Sequence, residues 1–519
     1  MDNTKNLLLG ENQALVQNLR KNSTESSMSY LQKYFKHVPE AKRTSSAIAF
    51  MASLDTVHAS FPEIADSILK ELKDQRSQLK LIASENFSSL PVQLAMGNLL
   101  TDKYSEGYAH HRFYAGCENV DQIEERGVEL AKKIFQAEHA YIQPHSGADA
   151  NLVAFWAILV TRIQNKEMER LSKKTLDEFT REEYESVRKL MLSQKLMGLS
   201  LQSGGHLTHG YRLNISSKIM QSVDYSVDPK TGRIDYKVLA DQVKKERPLV
   251  LIAGYSAYPR LIDFAKMREI ADSVDAVLMS DMAHFAGLVA GKAMTGNYNP
   301  VPFSQIVTST THKTLRGPRG GLVLCTSEFK EAVDKGCPIV LGGPLPHVMA
   351  AKAVAFKEVD TPDFVQYASQ IIKNAKAFAE ELMKKGVVVQ TGGTDNHIVL
   401  IDVAKSFHLT GRQAETALRA AGLTVNRNMI PGDQNGPWYT SGVRFGTPAV
   451  TTLGMKETEM KAIADMVVHL LRNVKPAMNE KTNKPSLAQI ETDSKALEKV
   501  KSEVKELLHR YPLYPELVL

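Results

Sequence analysis

Leu249-Val250-Leu251-Ile252-Ala253 is the stretch from which the fold can be read. Five apolar residues in a row, without alternation, suit a strand buried on both faces. Just downstream, Phe264, Met267, Ile270, Ala271 and Val274 recur at helical spacing. Ala276-Val277-Leu278-Met279, Gln305-Ile306-Val307 and Leu322-Val323-Leu324-Cys325 supply three further apolar runs. Such alternation predicts an α/β fold, a mostly parallel sheet with helices on its faces. Ligands in these sheets bind beyond the carboxyl ends of the strands. Upstream, Ala140-Tyr141-Ile142 reads as a strand that leads through Gln143-Pro144-His145-Ser146-Gly147-Ala148 into a helix starting near Asn151. Downstream, a second α/β unit begins near 350. Its clearest helix opens on the capping-box pattern Thr410-Gly411-Arg412-Gln413 and stops at Gly422. Residues 480–508 read as a charged amphipathic helix.

The bulk composition excludes several classes. The 519 residues are 43% hydrophobic and 24% charged, an ordinary globular balance. The net charge of +6 is spread along the chain, so no nucleic-acid footprint is expected. The longest apolar run, Leu152 to Val160, is too short to span a bilayer. Cys117, Cys325 and Cys337 form no CxxC pair, which argues for a reducing compartment. Together with an N-terminus that lacks a secretory layout, this predicts a cytoplasmic protein without membrane or nucleic-acid partners.

Chemistry concentrates at the strand ends. Thr310-Thr311-His312-Lys313-Thr314-Leu315-Arg316-Gly317-Pro318-Arg319-Gly320-Gly321 places one lysine between an apolar strand and a glycine-rich loop. A buried amine of this kind is neutral part of the time and can combine with an aldehyde, although an isolated lysine also reads as a surface residue. Asp281, in Ser280-Asp281-Met282-Ala283-His284, is either a helix cap or a functional carboxylate. A carboxylate facing a pyridine nitrogen keeps that nitrogen protonated, and small Ala283 leaves room for a flat ring. Small residues at Ser146-Gly147-Ala148 let backbone N–H groups approach a phosphate. His206, beside Gly204 and Gly205, suits stacking on a ring. Nothing near His206 and His209 has zinc spacing, and no metal is expected. Arg444, in Ser441-Gly442-Val443-Arg444-Phe445-Gly446, is a surface charge or, if buried, a carboxylate receptor.

Together these residues resemble the serine hydroxymethyltransferase family, pyridoxal-phosphate enzymes of the aspartate-aminotransferase fold type I. The resemblance also rests on Leu81-Ile82-Ala83-Ser84-Glu85-Asn86, Lys103-Tyr104-Ser105-Glu106-Gly107-Tyr108, the 204–210 block and Gly392-Gly393-Thr394-Asp395-Asn396-His397. It implies a large domain with a mostly parallel sheet, a smaller C-terminal α/β domain, and reversible conversion of serine and tetrahydrofolate to glycine and methylenetetrahydrofolate. It implies that Lys313 holds the cofactor aldehyde, Asp281 pairs with the ring nitrogen and His206 stacks on the ring. Ser256 and His284 lie near the phenolic oxygen or the substrate carboxylate. Gly147, Ala148, Thr310 and Gly343 complete the cofactor site, and His312 stands beside the reacting lysine. Arg444 and Ser84 hold the amino acid, while Leu201 and Asn428 line the folate pocket. Tyr104, Glu106 and Tyr114 come from the partner of a homodimer, possibly within a tetramer, and Glu106 manages protons at the serine hydroxyl.

The expected organisation is a polar extension (1–50), a helical arm (51–103), a large domain (104–345) with a charged helical insertion (161–197), and a small domain (346–519). Departures from the family pattern fall at Ala148, Phe113, Arg316 and Pro338-Ile339-Val340-Leu341. The competing reading keeps the cofactor but drops folate: an aldolase of 3-hydroxy amino acids, or a racemase of small ones.

Overall fold

The computed structural model describes residues 28–479 and 483–519. They form two compact units, residues 78–511 and a smaller one of 28–77 with 512–519.

The larger unit is built on a seven-stranded sheet: β1 (His139–Tyr141), β2 (Lys195–Leu199), β3 (Gln221–Tyr225), β4 (Val250–Gly254), β5 (Val277–Asp281), β6 (Ile306–Thr310) and β7 (Gly321–Cys325). The order is β1-β7-β6-β5-β4-β2-β3. Pairings from β3 through β6 are parallel, and β7 runs antiparallel to both β6 and β1. β4, β5, β6 and β7 are buried at every position. Their side chains divide between two cores as the strand period requires. Leu251, Ala253, Leu278, Val307, Leu322 and Leu324 face one core. Val250, Ile252, Val277, Met279, Ile306 and Val323 face the other. The unbroken apolar runs of the sequence follow from burial on both faces.

A third core gathers a three-stranded antiparallel sheet, β8 (Ile398–Asp402), β9 (Asn426–Asn428) and β10 (Gly442–Gly446), in the order β8-β10-β9. Leu79 and Leu81 join this core, since Leu79–Lys80 pairs in parallel with Leu423–Thr424. The helix Gly411–Ala420 carries the capping box read from the sequence, with Thr410 and Gln413 bonding reciprocally.

Several boundaries differ from the sequence reading. The helix after β1, α1 (Gly147–Leu159), begins four residues before Asn151 because the Ser146 hydroxyl accepts the Asp149 N–H at 3.1 Å and caps it early. The 161–197 segment contains the helices Asn165–Arg170 and Arg181–Leu192, but its last residues enter β2, a core strand. The helix Pro346–Val359 (α2) lies past the expected boundary at 345, yet Met349, Phe356 and Val359 pack in the large core. Within the expected 480–508 helix, Lys484–Thr492 is a strand paired with Val474–Asn479, so the amphipathic helix starts at Ser494.

In the smaller unit, residues 28–50 of the expected polar extension take part in helices. Tyr30–His37 and Ser45–Ser60 are helices that bury Tyr34 and Ala47 completely. The earlier part of that expectation, residues 1–27, lies outside the described residues. The spacing of Phe61, Ile64, Ile68 and Leu72 is helical, but the helix is interrupted at Phe61 and the first three side chains remain exposed. Arg76 ties the C-terminal residues down by donating to the carbonyls of Leu513, Tyr514 and Leu517. Among the described residues no helix is long and apolar enough to cross a membrane.

Candidate active site

A cavity of about 610 Å³ opens beyond the carboxyl ends of β4, β5 and β6, where an α/β sheet offers its ligand site. Asp281 is the last residue of β5, and Lys313 follows the end of β6 by three residues. Both line this one cavity.

Asp281 is held from behind. Its Oδ2 accepts from the Asn151 amide at 3.0 Å and from His209 Nε2 at 3.1 Å, and its Oδ1 accepts the Ala283 N–H at 3.0 Å. His209 Nδ1 accepts the His206 N–H, which puts the ring proton on Nε2, facing the carboxylate. Burial pushes the Asp281 carboxyl up, but the hydrogen bond from His209, the adjoining His206 ring and the Asn151 amide outweigh it. The group is held below the usual carboxylate range. The ligand atoms of His206, His209 and Asp281 lie within 4.8 Å of one another, and this hydrogen-bond network accounts for their grouping.

Lys313 is 9% exposed, and its Nζ makes no hydrogen bond or ion pair among the described residues. Burial lowers its pKa to about 8; Asp281 opposes the shift, while Arg444 and Arg319 add to it. Its carbonyl accepts from the Asn86 amide at 2.8 Å, which fixes the backbone beneath the amine. Arg444, at the middle of β10, is pulled down to about 10 by burial. It donates through Nε to Asn426 Oδ1 at 3.1 Å and through Nη1 to the Ser256 carbonyl. No carboxylate pairs with it among the described residues, so one edge of a buried guanidinium is left for an anion from outside.

The remaining wall is aromatic and small. Burial and the nearby His209 lower His206 to about 4, so its ring is neutral, with Nδ1 bonded to Thr208 Oγ1 at 2.7 Å. Gly205 is compelled by its surroundings, since a Cβ there would stand 1.8 Å from the Leu199 carbonyl oxygen. His284 stacks on His397 with centroids 5.5 Å apart. His312 lines the cavity with a buried Nδ1 that has no partner among the described residues.

Of the residues expected from the sequence, Lys313, Asp281, His206, His284, Ser256, Gly147, Ala148, Thr310, His312, Arg444, Ser84, Leu201 and Asn428 line the cavity. Tyr104, Glu106, Tyr114 and Gly343 do not. Tyr104 and Tyr114 are half exposed with rings 5.1 Å apart in an edge-to-face pair, the Glu106 carboxylate raises the Tyr104 phenol, and a Cβ on Gly343 would meet the Tyr104 ring. Asn151, His209 and His397 escaped the sequence reading. All three are buried polar groups that act on a functional neighbour, and only His209 gave a signal, its spacing from His206.

An unpartnered buried lysine amine and a buried carboxylate facing one cavity at the strand ends define the fold-type-I class of pyridoxal-phosphate enzymes. The residues fit that group: the orphaned His312 nitrogen, the capped N-terminus of α1 and the neutral His206 ring offer an anion site and a flat stacking face. The family model of serine hydroxymethyltransferase matches residues 57–169 and 184–467, and the chain belongs to that family. The match skips 170–183, inside the segment read as an insertion. Similar proteins include the serine hydroxymethyltransferase of Treponema pallidum, 57% identical over 473 residues (91% of this chain, 82% of that protein). That of Cutibacterium acnes is 53% identical over 473 residues, covering 91% of this chain and 96% of its own. That of Chlamydia muridarum is 50% identical over 493 residues, covering 95% and 99%.

Proposed function

We propose that the cavity carries out serine hydroxymethyltransferase chemistry, the reversible conversion of serine and tetrahydrofolate to glycine and methylenetetrahydrofolate, with pyridoxal phosphate as cofactor. The observation that carries this reading is that Lys313, Asp281 and a carboxylate-free Arg444 open onto the same space.

Pyridoxal phosphate, when bound, supplies an aldehyde that joins the amino acid and a ring that accepts electrons released at its α-carbon. Asp281, kept ionised by His209 and Asn151, would hold a proton on the ring nitrogen. Lys313, lowered to about 8, has an appreciable neutral fraction near physiological pH and so serves as a nucleophile that the substrate amine can replace. Arg444 receives the substrate carboxylate on its open edge, and Ser84 reaches the same space. His206 would cover one ring face. Gly147, Ala148 and Thr310, with His312 nearby, would hold the phosphate. His284 and Ser256 would meet the phenolic oxygen or the substrate carboxylate. Leu201 and Asn428 meet the folate.

Tyr104, Glu106, Tyr114 and Gly343 act in the cavity of a second copy in a homodimer. Their absence from the lining of the chain's own cavity and the exposure of Tyr104 (56%) and Tyr114 (51%) support this. In that setting Glu106 moves the proton of the serine hydroxyl. The separation of the third core from the two that flank the large sheet supports a large cofactor-binding part and a small C-terminal part, joined along the helix Pro362–Lys384, which packs in one core of the large sheet and in the third. A cytoplasmic location agrees with three free, buried cysteines.

The test is serine cleavage by purified protein supplied with pyridoxal phosphate. Formation of methylenetetrahydrofolate that depends on tetrahydrofolate is the expected result. Cleavage of allo-threonine without any response to folate would replace this reading with the aldolase one.

A further inference from the structure

Lys352 is a buried cation that none of the roles above employs. It lies in α2, is 1% exposed, and donates from Nζ to three main-chain carbonyls, those of Ile142 (2.5 Å), Pro144 (2.8 Å) and Gly321 (2.9 Å). Three acceptors require three N–H bonds, which only the ammonium form provides. Burial pulls its pKa down to about 7, while the three carbonyls and the more distant charges of Glu124 and Asp149 oppose the loss of its proton. No carboxylate forms an ion pair with it among the described residues, so the charge is kept at a cost in desolvation.

The position of that charge is informative. Gly321 also donates its N–H to the Pro144 carbonyl at 2.8 Å, so the ammonium ties residue 144 to residue 321 just where β1 gives way to the turn before α1. The Ser146 carbonyl oxygen lies 2.2 Å from where a Cβ on Gly321 would stand, and a Cβ on Gly320 would stand 2.4 Å from Lys352 Cε. The backbone is thus moulded around the lysine. Immediately downstream, Gly147 and Ala148 line the cavity with no side-chain donor, beside Ser146, whose hydroxyl accepts the Asp149 N–H and keeps its own O–H free to donate.

We propose that Lys352 is a positioning residue for the cofactor phosphate: it fixes the 144–146 turn and holds a positive charge behind the cup formed by Gly147 and Ala148. The inference rests on the cofactor reading above. The experiment titrates cofactor-free, full-length protein with pyridoxal phosphate and, separately, with pyridoxal, which lacks the phosphate. Binding is followed by visible absorbance and equilibrium dialysis. In Lys352→Met, affinity for pyridoxal phosphate is expected to fall about tenfold or more while affinity for pyridoxal stays within about twofold. Equal losses for both, or no loss for pyridoxal phosphate, would overturn the proposal. Should Lys352→Met not fold, Gly320→Ala decides, because its added Cβ displaces the ammonium without removing the charge. The same selective loss is expected there, and unchanged affinity for pyridoxal phosphate would overturn the proposal. Wild-type protein that binds neither compound would sink the cofactor reading instead.

Discussion

Replacing Arg444 with methionine separates substrate binding from cofactor binding. The guanidinium spends one N–H on Asn426 and one on the Ser256 carbonyl, leaving its other edge without a protein acceptor among the described residues. Two charge-assisted hydrogen bonds to a substrate carboxylate contribute about 1.5–3 kcal/mol each, so their loss costs roughly 3–6 kcal/mol. That corresponds to a serine affinity weaker by about two to four decades. Stability should behave differently. The Ser256 carbonyl and the Asn426 oxygen each lose a donor, about 1 kcal/mol apiece, while removing an unpaired buried charge offsets that loss. The net change in unfolding free energy of the cofactor-free protein is therefore within about 2 kcal/mol. The assay titrates serine or glycine against the visible spectrum of the loaded protein, with cofactor retention measured by dialysis. Serine affinity within about threefold of wild type, or cofactor lost in parallel with serine, would refute the assignment.

Two further outcomes follow from the same geometry. His284 and His397 are buried beside Lys313 and Arg444; burial and those cations hold His284 well below its ordinary range and His397 at about 3. The unfolded chain takes up protons near pH 6.5 and the folded one does not, so stability present above that pH is lost on acidification. The pair contributes a slope of about 3 kcal/mol per pH unit below 6.5, and His397→Asn should reduce that contribution by about half; in urea unfolding of the cofactor-free protein between pH 7 and 5, equal slopes for wild type and variant would mean that His397 is not buried neutral. Ala148→Ser adds a hydroxyl at the phosphate cup and should tighten pyridoxal phosphate by roughly ten- to a hundredfold, measured by dialysis; no change would mean that position 148 does not face the phosphate.

The central sheet was legible because a strand buried on both faces must be apolar throughout, and β4, β5, β6 and β7 are. Lys313 and Asp281 were legible because they are charged residues at the ends of such strands. The start of α1 was misread because a single hydroxyl, Ser146, moves the cap by a turn, and cap geometry is invisible to apolar spacing. The hairpin strand Lys484–Thr492 was taken for helix because its burial alternates with period two over a segment rich in charge, which also looks amphipathic. Asn151, His397 and Lys352 could not be found from spacing at all. Their partners stand 31 or more residues away, brought together by the fold. The exposed Tyr104 and Tyr114, by contrast, owe their place in the argument to family resemblance.

The central claim is that Lys313 holds the cofactor aldehyde in the cavity that Asp281 shares. Borohydride reduction of the loaded protein fixes the aldehyde irreversibly onto whichever lysine holds it, and peptide mass spectrometry then locates the label. The account predicts a single pyridoxyl group on Lys313, absent from Lys313→Ala. A label on Lys352 or on any surface lysine, with Lys313 unmodified, would contradict it.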